Sequence, residues 1–117
     1  MRFRTRQRLR ADKDFLFVRK AGKRHSCAGF LGQAAINNLK VPEKRLGLKV
    51  TKKVGNAVTR NRLKRIFREL FRLHQEKLPE RCDLVIVAYP SLTAMNYSSI
   101  AEDYIKLCSR IQPNSET

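Results

Sequence analysis

Apolar residues recur at two spacings along this chain, and the places where the spacing changes mark its elements. From Asp12 to Lys20 the pattern is helical, with Asp12 a candidate N-cap and Gly22 a candidate stop. Phe15 and Phe17 lie about 200° apart on such a helix, so one faces the core and the other is open to a ligand. Residues 24–37 read as one long strand, or as two short ones bent at Gly29 or Gly32, with Ala28, Phe30, Ala34 and Ile36 on one face. After a loop holding Pro42, residues 45–53 alternate. Leu46, Leu48 and Val50 point inward, and Arg45, Gly47, Lys49, Thr51 and Lys53 point outward.

Val54, Gly55 and Asn56 predict a turn, with Asn56 capping a helix that runs to about Lys77 before Pro79 ends it. Leu63, Ile66, Phe67 and Leu70 form its apolar stripe. The unbroken run LVIVAY, residues 84–89, is the pattern of a strand covered on both faces. It is placed centrally and parallel to the 45–51 strand, because a helix connects the two. Ile100, Ala101, Tyr104, Leu107, Cys108 and Ile111 line a last amphipathic helix, with Asn96 as its candidate cap. The order is α-β-β-β-α-β-α: an α+β fold, a small mixed sheet packed with about three helices. The chain reads as one domain over residues 1–117, with a basic N-terminal arm at 1–11 and a loose polar tail at 112–117.

Charge changes what these elements are for. Lys49 to Arg72 holds nine Lys or Arg residues and a single acid, Glu69. Asn61, Lys64, Arg65, Arg68 and Arg72 fall opposite the apolar stripe, with Arg60 and Arg62 at its flanks. Cations crowded into the first turns of a helix oppose its macrodipole and repel one another. Folding alone does not select such a face, and local inconsistencies of this kind gather at functional sites. Upstream, Arg residues at positions 2, 4, 6, 8 and 10 would line one edge of an extended, mobile arm. Over the whole chain 26 Lys and Arg face 10 acids, a formal net charge of +16 with a pI near 10.6. A polyanionic partner offsets that self-repulsion. Nucleic acid comes first and an anionic membrane surface second. No apolar run is long enough to span a bilayer and no apolar core follows the basic start, so a cytoplasmic protein is expected, with no membrane partner.

Conventional catalytic chemistry finds little support. Cys27, Cys82 and Cys108 are odd in number and far apart, which fits small buried hydrophobes better than disulfides or zinc ligands. His25 and His74 stand alone, and the acids are scattered. The sequence therefore presents no catalytic residue and no metal ligand of its own.

Lys52 to Arg65, KKVGNAVTRNRLKR, resembles the signature of the protein subunit of bacterial ribonuclease P, including the triplet Arg60, Asn61 and Arg62. The likeness extends over the basic start, the Phe-containing first helix ending in Lys20-Ala21-Gly22, the Arg45-Leu46-Gly47-Leu48 strand and LVIVAY. It implies an accessory subunit of an endoribonuclease, in which a catalytic RNA with its magnesium removes the 5′ leader of precursor tRNA. Lys52, Asn56, Arg60, Asn61, Arg62, Lys64, Arg65 and Arg68 would face the catalytic RNA, with Asn61 at most indirectly near its metal. Phe15, Arg19, Lys49, Thr51 and Lys53 would hold the single-stranded leader. No protein partner is required, and the family implies a left-handed strand-helix-strand crossover, against the usual preference. Two departures stand out. Arg19 occupies a position where the family often has a second aromatic, and Ala34 or a neighbour replaces an aromatic in the second strand. A structural RNA-binding protein of ribosomal type is the rival reading, and a protein-only nuclease, which needs clustered acids, is a further one.

Overall fold

A computed structural model describes residues 7–111 of the chain. The N-terminal part of the expected arm, 1–6, and the tail, 112–117, lie outside the described residues. Strands β1 (Lys23–Ser26) and β2 (Phe30–Ile36) form an antiparallel hairpin, and β2 runs antiparallel to β4 (Cys82–Ala88). β3 (Arg45–Lys49) lies parallel to β4, giving a four-stranded mixed sheet in the order β1-β2-β4-β3. The helices are α1 (Asp12–Ala21), α2 (Ala57–Leu73) and α3 (Tyr97–Ile111). Short 3-10 turns occupy Gln75–Lys77 and Pro90–Ala94.

The two-residue period of the strands sorts the core into two parts. Phe30, Leu46, Leu84 and Ile86 bury one face of the sheet against Leu63, Phe67, Leu70 and Phe71 of α2 and Ile100, Tyr104, Leu107 and Cys108 of α3. Phe67 meets Phe30 edge-on at 5.0 Å between ring centroids and lies 6.5 Å from Tyr104. The opposite face carries Ala35 and Val85, which close with Val18 of α1 and Leu9 into a smaller cluster flanked by Phe15 and Val87. β4 is thus covered on both sides, as its continuous apolar run predicts.

Several sequence expectations are corrected. Ala11, not Asp12, is the N-cap of α1 and makes no side-chain capping bond; Asp12 and Asp14 lie in the first turn, where the helix dipole favours negative charge. Residues 24–37 resolve into two strands, with Cys27–Gly29 as the hairpin loop closed by the Cys27 N–H donating to Phe30 O at 2.8 Å. Ala28 therefore leaves the strand face, and Ile36 at its other end is exposed. α2 stops at Leu73, and Gln75–Lys77 continues as a 3-10 turn. The outward side of β3 is not open either, because α1 and the N-terminal segment cover it. Gln7 and Leu9 are buried rather than mobile, and the Leu9 N–H donates to Leu46 O at 2.9 Å.

Candidate nucleic-acid interface

The cationic helix is built from its cap outward. The Thr51 carbonyl accepts from the Val54 N–H at 3.0 Å, a turn that leaves Lys52 and Lys53 exposed. Asn56 then caps α2, its Oδ1 accepting from the Thr59 N–H at 2.9 Å. This confirms the expected cap, and it keeps the Asn56 amide at the basic end of the helix. Arg60 folds back so that Nε donates to Gly55 O at 3.1 Å, which pins its half-buried side chain against the turn. Asn61, Arg62 and Arg65 are exposed, and Lys64 and Arg68 are half-buried. The eight residues Lys52, Asn56, Arg60, Asn61, Arg62, Lys64, Arg65 and Arg68 thus lie along one turn and the helix it starts. Arg72, grouped with them by periodicity, is engaged locally. Its Nε and Nη2 fork onto Glu69 at 3.1 and 2.5 Å, and the guanidinium holds the Glu69 carboxyl below its usual range.

A cleft of about 470 Å³ opens between α1 and β3, lined by Asp12, Phe15, Leu16, Arg19 and Lys49. Three of the five residues assigned to leader binding, Phe15, Arg19 and Lys49, meet there. Thr51 and Lys53 stand beyond the end of β3, in and beside the turn that carries Lys52. Phe15 is half-buried at the edge of the smaller core, whereas Phe17 points away and is exposed. This settles which of the two aromatics belongs to the cleft. Lys49 Nζ stands 5.4 Å from the Phe15 ring centroid, within the range of a cation–π contact.

Other residues of the cleft were not legible from pattern. Gly47 lies directly beneath Phe15: a Cβ added there would come within 2.7 Å of Phe15 Cε1 and 2.8 Å of Cζ. Arg45, expected on the outer basic surface, instead donates Nε and Nη2 to the two carboxylate oxygens of Asp83 at 2.9 and 2.7 Å. Asp83 is fully buried, and it also accepts from Asn37 Nδ2 at 2.8 Å. Asp14 approaches the same guanidinium at 3.8 Å, tying α1 to the sheet. The signal for this pair is an acid inside the apolar run Cys82–Ala88, since a carboxylate is buried only with a partner. Ala34 faces α2 and α3, so it is Gln33 and Ala35 of β2 that share the α1 side with the cleft.

Burial also shifts the three thiols, Tyr104 and His25. It pushes the Cys82 thiol up to about 12 and Cys108 to about 11, and it raises Cys27 and Tyr104. His25 is lowered, first by burial and then by Arg110 and Lys23. Among the described residues no three His, Cys, Asp or Glu side chains converge as metal ligands, and no helix is long and apolar enough to cross a membrane.

A mixed sheet with helices on both faces, one of them cationic and continuous with an aromatic cleft, defines a small basic α+β protein whose charge collects along one strand-turn-helix connection. The chain belongs to the ribonuclease P protein family, whose model, described as Ribonuclease P, matches residues 3–112. It is 40% identical over 109 residues to the ribonuclease P protein component of Desulfatibacillum aliphaticivorans, covering 93% of this chain and 91% of that one. Identity to the component from Syntrophus aciditrophicus is 38% over 97 residues, 83% and 80% of the two chains. Among solved structures, the RNase P protein of Thermotoga maritima in complex with 1-(4-fluorophenyl)-2-thiourea superposes with a TM-score of 0.80 at 31% identity, covering 89% of this chain and 99% of that one. The RNase P protein of Staphylococcus aureus gives 0.78 at 28% identity, with 90% and 96% covered.

Proposed function

We propose that this chain is the RNA-binding accessory subunit of ribonuclease P, acting on two RNAs at once. The α2 face, from Lys52 and Asn56 through Arg60, Asn61, Arg62, Lys64, Arg65 and Arg68, docks on the catalytic RNA. The cleft formed by Phe15, Arg19 and Lys49, with Thr51 and Lys53 at its end, holds the 5′ leader of precursor tRNA. The observation that carries this reading is the continuity of the two surfaces: β3 supplies Lys49 to the cleft, and the turn after it starts the cationic helix. A leader in the cleft and an RNA on α2 therefore lie side by side.

The chemistry follows from the residue types. Lys and Arg neutralise phosphates and release counterions, giving affinity that falls steeply with salt. A stacking aromatic accepts any base, which suits substrates that share tRNA shape but differ in leader sequence. Magnesium, held by the RNA, supplies the hydrolytic chemistry. The protein contributes position and positive potential, which ease the approach of two polyanions. Cleavage takes place in the cytoplasm, and the isolated chain hydrolyses nothing.

The test is precursor tRNA cleavage at low magnesium by a bacterial ribonuclease P RNA, with and without this protein, beside protein alone. We expect cleavage at the mature 5′ end to rise with added protein and to be absent with protein alone. An RNA-binding chain that gives no enhancement is of the ribosomal type instead, and magnesium-dependent cleavage by protein alone overturns the mechanism.

A further inference from the structure

The cleft between α1 and β3 holds an acid among its cations. Of the five residues that line it, Arg19 and Lys49 are positive, Phe15 and Leu16 are apolar, and Asp12 carries a carboxylate. In a groove for a polyanion, that carboxylate repels the phosphates that the cations attract. The helix dipole favours an acid in the first turn of α1, but Asp14 lies in the same turn and meets that preference as well. Asp14 is also drawn toward the sheet, 3.8 Å from Arg45 Nη2. Asp12 has no such anchor. It is exposed, the N-cap position belongs to Ala11, and among the described residues the Asp12 side chain enters no ion pair or hydrogen bond.

Helical spacing puts Asp12 beside the aromatic. Residues three and four apart are surface neighbours on a helix, with Cβ atoms about 5–6 Å apart. Phe15 is thus flanked by Asp12 one turn before it and by Arg19 one turn after it, and all three line the same cleft. Lys49 Nζ stands 5.4 Å from the ring centroid. A base stacked on Phe15 therefore has two cations for its phosphates and one carboxylate for its edge.

We propose that Asp12 is a specificity-determining residue of the leader cleft, selecting guanine at the nucleotide stacked on Phe15. Single-stranded RNA leaves the Watson–Crick edges of its bases free to be read. An ionised carboxylate only accepts, through two oxygens side by side. Guanine matches it with N1–H and the N2 amino group as adjacent donors. Adenine and cytosine set one amino group beside a ring nitrogen that repels the second oxygen, and uracil offers a single N3–H between two carbonyls. Bidentate pairing with guanine offsets the repulsion between carboxylate and backbone, whereas the other bases leave it uncompensated. The acid thus discriminates by what it penalises as well as by what it binds. This inference rests on the leader-binding reading above and adds a base preference to it.

The experiment measures the affinity of the holoenzyme, reconstituted from a bacterial ribonuclease P RNA and the full chain, for a set of precursor tRNAs. Their leaders are uridine throughout, or carry one guanine, adenine or cytosine at each position in turn. We expect one position at which guanine binds roughly 5- to 20-fold more tightly than uridine, the lower part of the range for a bidentate pair. Phe15→Leu should diminish the preference at that position, which assigns it to the ring. Asp12→Asn should remove the preference and bind the all-uridine leader more tightly than wild type, because a repulsion is gone. Asp12→Glu keeps the carboxylate and should still favour guanine. A residue that only supports the start of α1 would, when changed to Asn, weaken every leader alike. Such a uniform loss, a wild type without base preference, a preference for another base, or a guanine preference undiminished in Asp12→Asn each overturns the assignment and leaves leader binding standing. A holoenzyme that binds precursor tRNA no more tightly with a leader than without one overturns the underlying reading.

Discussion

The Lys49 ammonium stands 5.4 Å from the centre of the Phe15 ring. One residue comes from β3 and the other from α1, so the contact spans the floor and wall of the same cleft. A single-stranded RNA presents bases to the ring and phosphates to the ammonium, and the two substitutions should separate those parts. Phe15→Leu keeps most of the apolar volume but removes the aromatic face; leader affinity should fall by about 1–3 kcal/mol, with the salt slope unchanged. Lys49→Ala should reduce the slope by about one. Binding of leader oligonucleotides to the holoenzyme at several salt concentrations measures both. If both variants changed only the slope, stacking would have no part in the cleft.

Gly47 sets the height of that ring. A methyl group at this position would lie 2.7 Å from Phe15 Cε1 and 3.1 Å from Leu9 Cβ, closer than packed carbons tolerate. Gly47→Ala should therefore lift Phe15 and cost about 1–3 kcal/mol of stability, the usual range for overpacking. Leader affinity should fall while affinity for the catalytic RNA, which the proposal assigns to α2, stays within error. Equal losses toward both RNAs would mean that the substitution unfolds the sheet edge and does not act through Phe15.

How much of this was legible beforehand depends on the range of the interaction. Period and caps are local, so Asn56, the stripe of α2 and the doubly covered β4 could be read directly, and the fold class followed from their order. The cationic helix was equally plain, because one face of a helix is a property of spacing. What was missed is non-local. Nothing within ten residues of Arg45 marks Asp83 as its partner, and nothing near Gly47 shows that Phe15 will rest on it. The docked segment was missed for the same reason: Leu9 looks like a stray apolar residue among arginines until β3 offers it an edge. Thr51 and Lys53 were grouped with Lys49 by alternation, but β3 ends at Lys49 and the period lapses in the turn that follows.

Asp83 should be the most destabilising single change outside the apolar core. Asp83→Asn keeps shape and takes from the largely buried Arg45 guanidinium its nearest charge partner, leaving only Asp14 at 3.8 Å; removal of one member of such a pair costs about 3 kcal/mol or more. That is a large share of a total stability of about 5–15 kcal/mol. Urea denaturation of the variant measures it, and a loss under about 1 kcal/mol would show the pair to be as dispensable as a surface bridge.

Alkaline pH should weaken the fold through its buried thiols. Burial, aided by the charge of Asp83 and by Cys108, raises Cys82 from 9.0 to about 12. The folded chain therefore keeps a proton that the unfolded chain loses, so the contribution is fully present below about pH 9 and is lost as pH rises toward 12. Cys108, raised to about 11, and Tyr104 act in the same direction. Denaturation midpoints under reducing conditions should fall from pH 9 upward, and Cys82→Ala, though less stable at neutral pH, should show a shallower fall. An identical slope in both proteins would remove Cys82 from the account.

Arg19 is where this chain departs from the aromatic that its family often carries, and it lies on the cleft wall with Phe15 and Lys49. On the proposed reading of the cleft, a cation at that place would shift leader recognition from stacking toward phosphate contacts. Arg19→Ala should therefore weaken leader binding and lower its salt slope by about one. Arg19→Phe should also lower the slope, but it should recover affinity at high salt, where stacking persists and counterion release no longer contributes. Both variants should keep the fold, because Arg19 is exposed in the last turn of α1 and only its proximity to the helix C-terminus is lost, worth a few tenths of a kcal/mol. The measurement is leader affinity from low to high salt for wild type and both variants. If Arg19→Ala leaves affinity and slope where they were, the cleft reads its leader through Phe15 and Lys49 alone, and the departure at position 19 has no bearing on recognition.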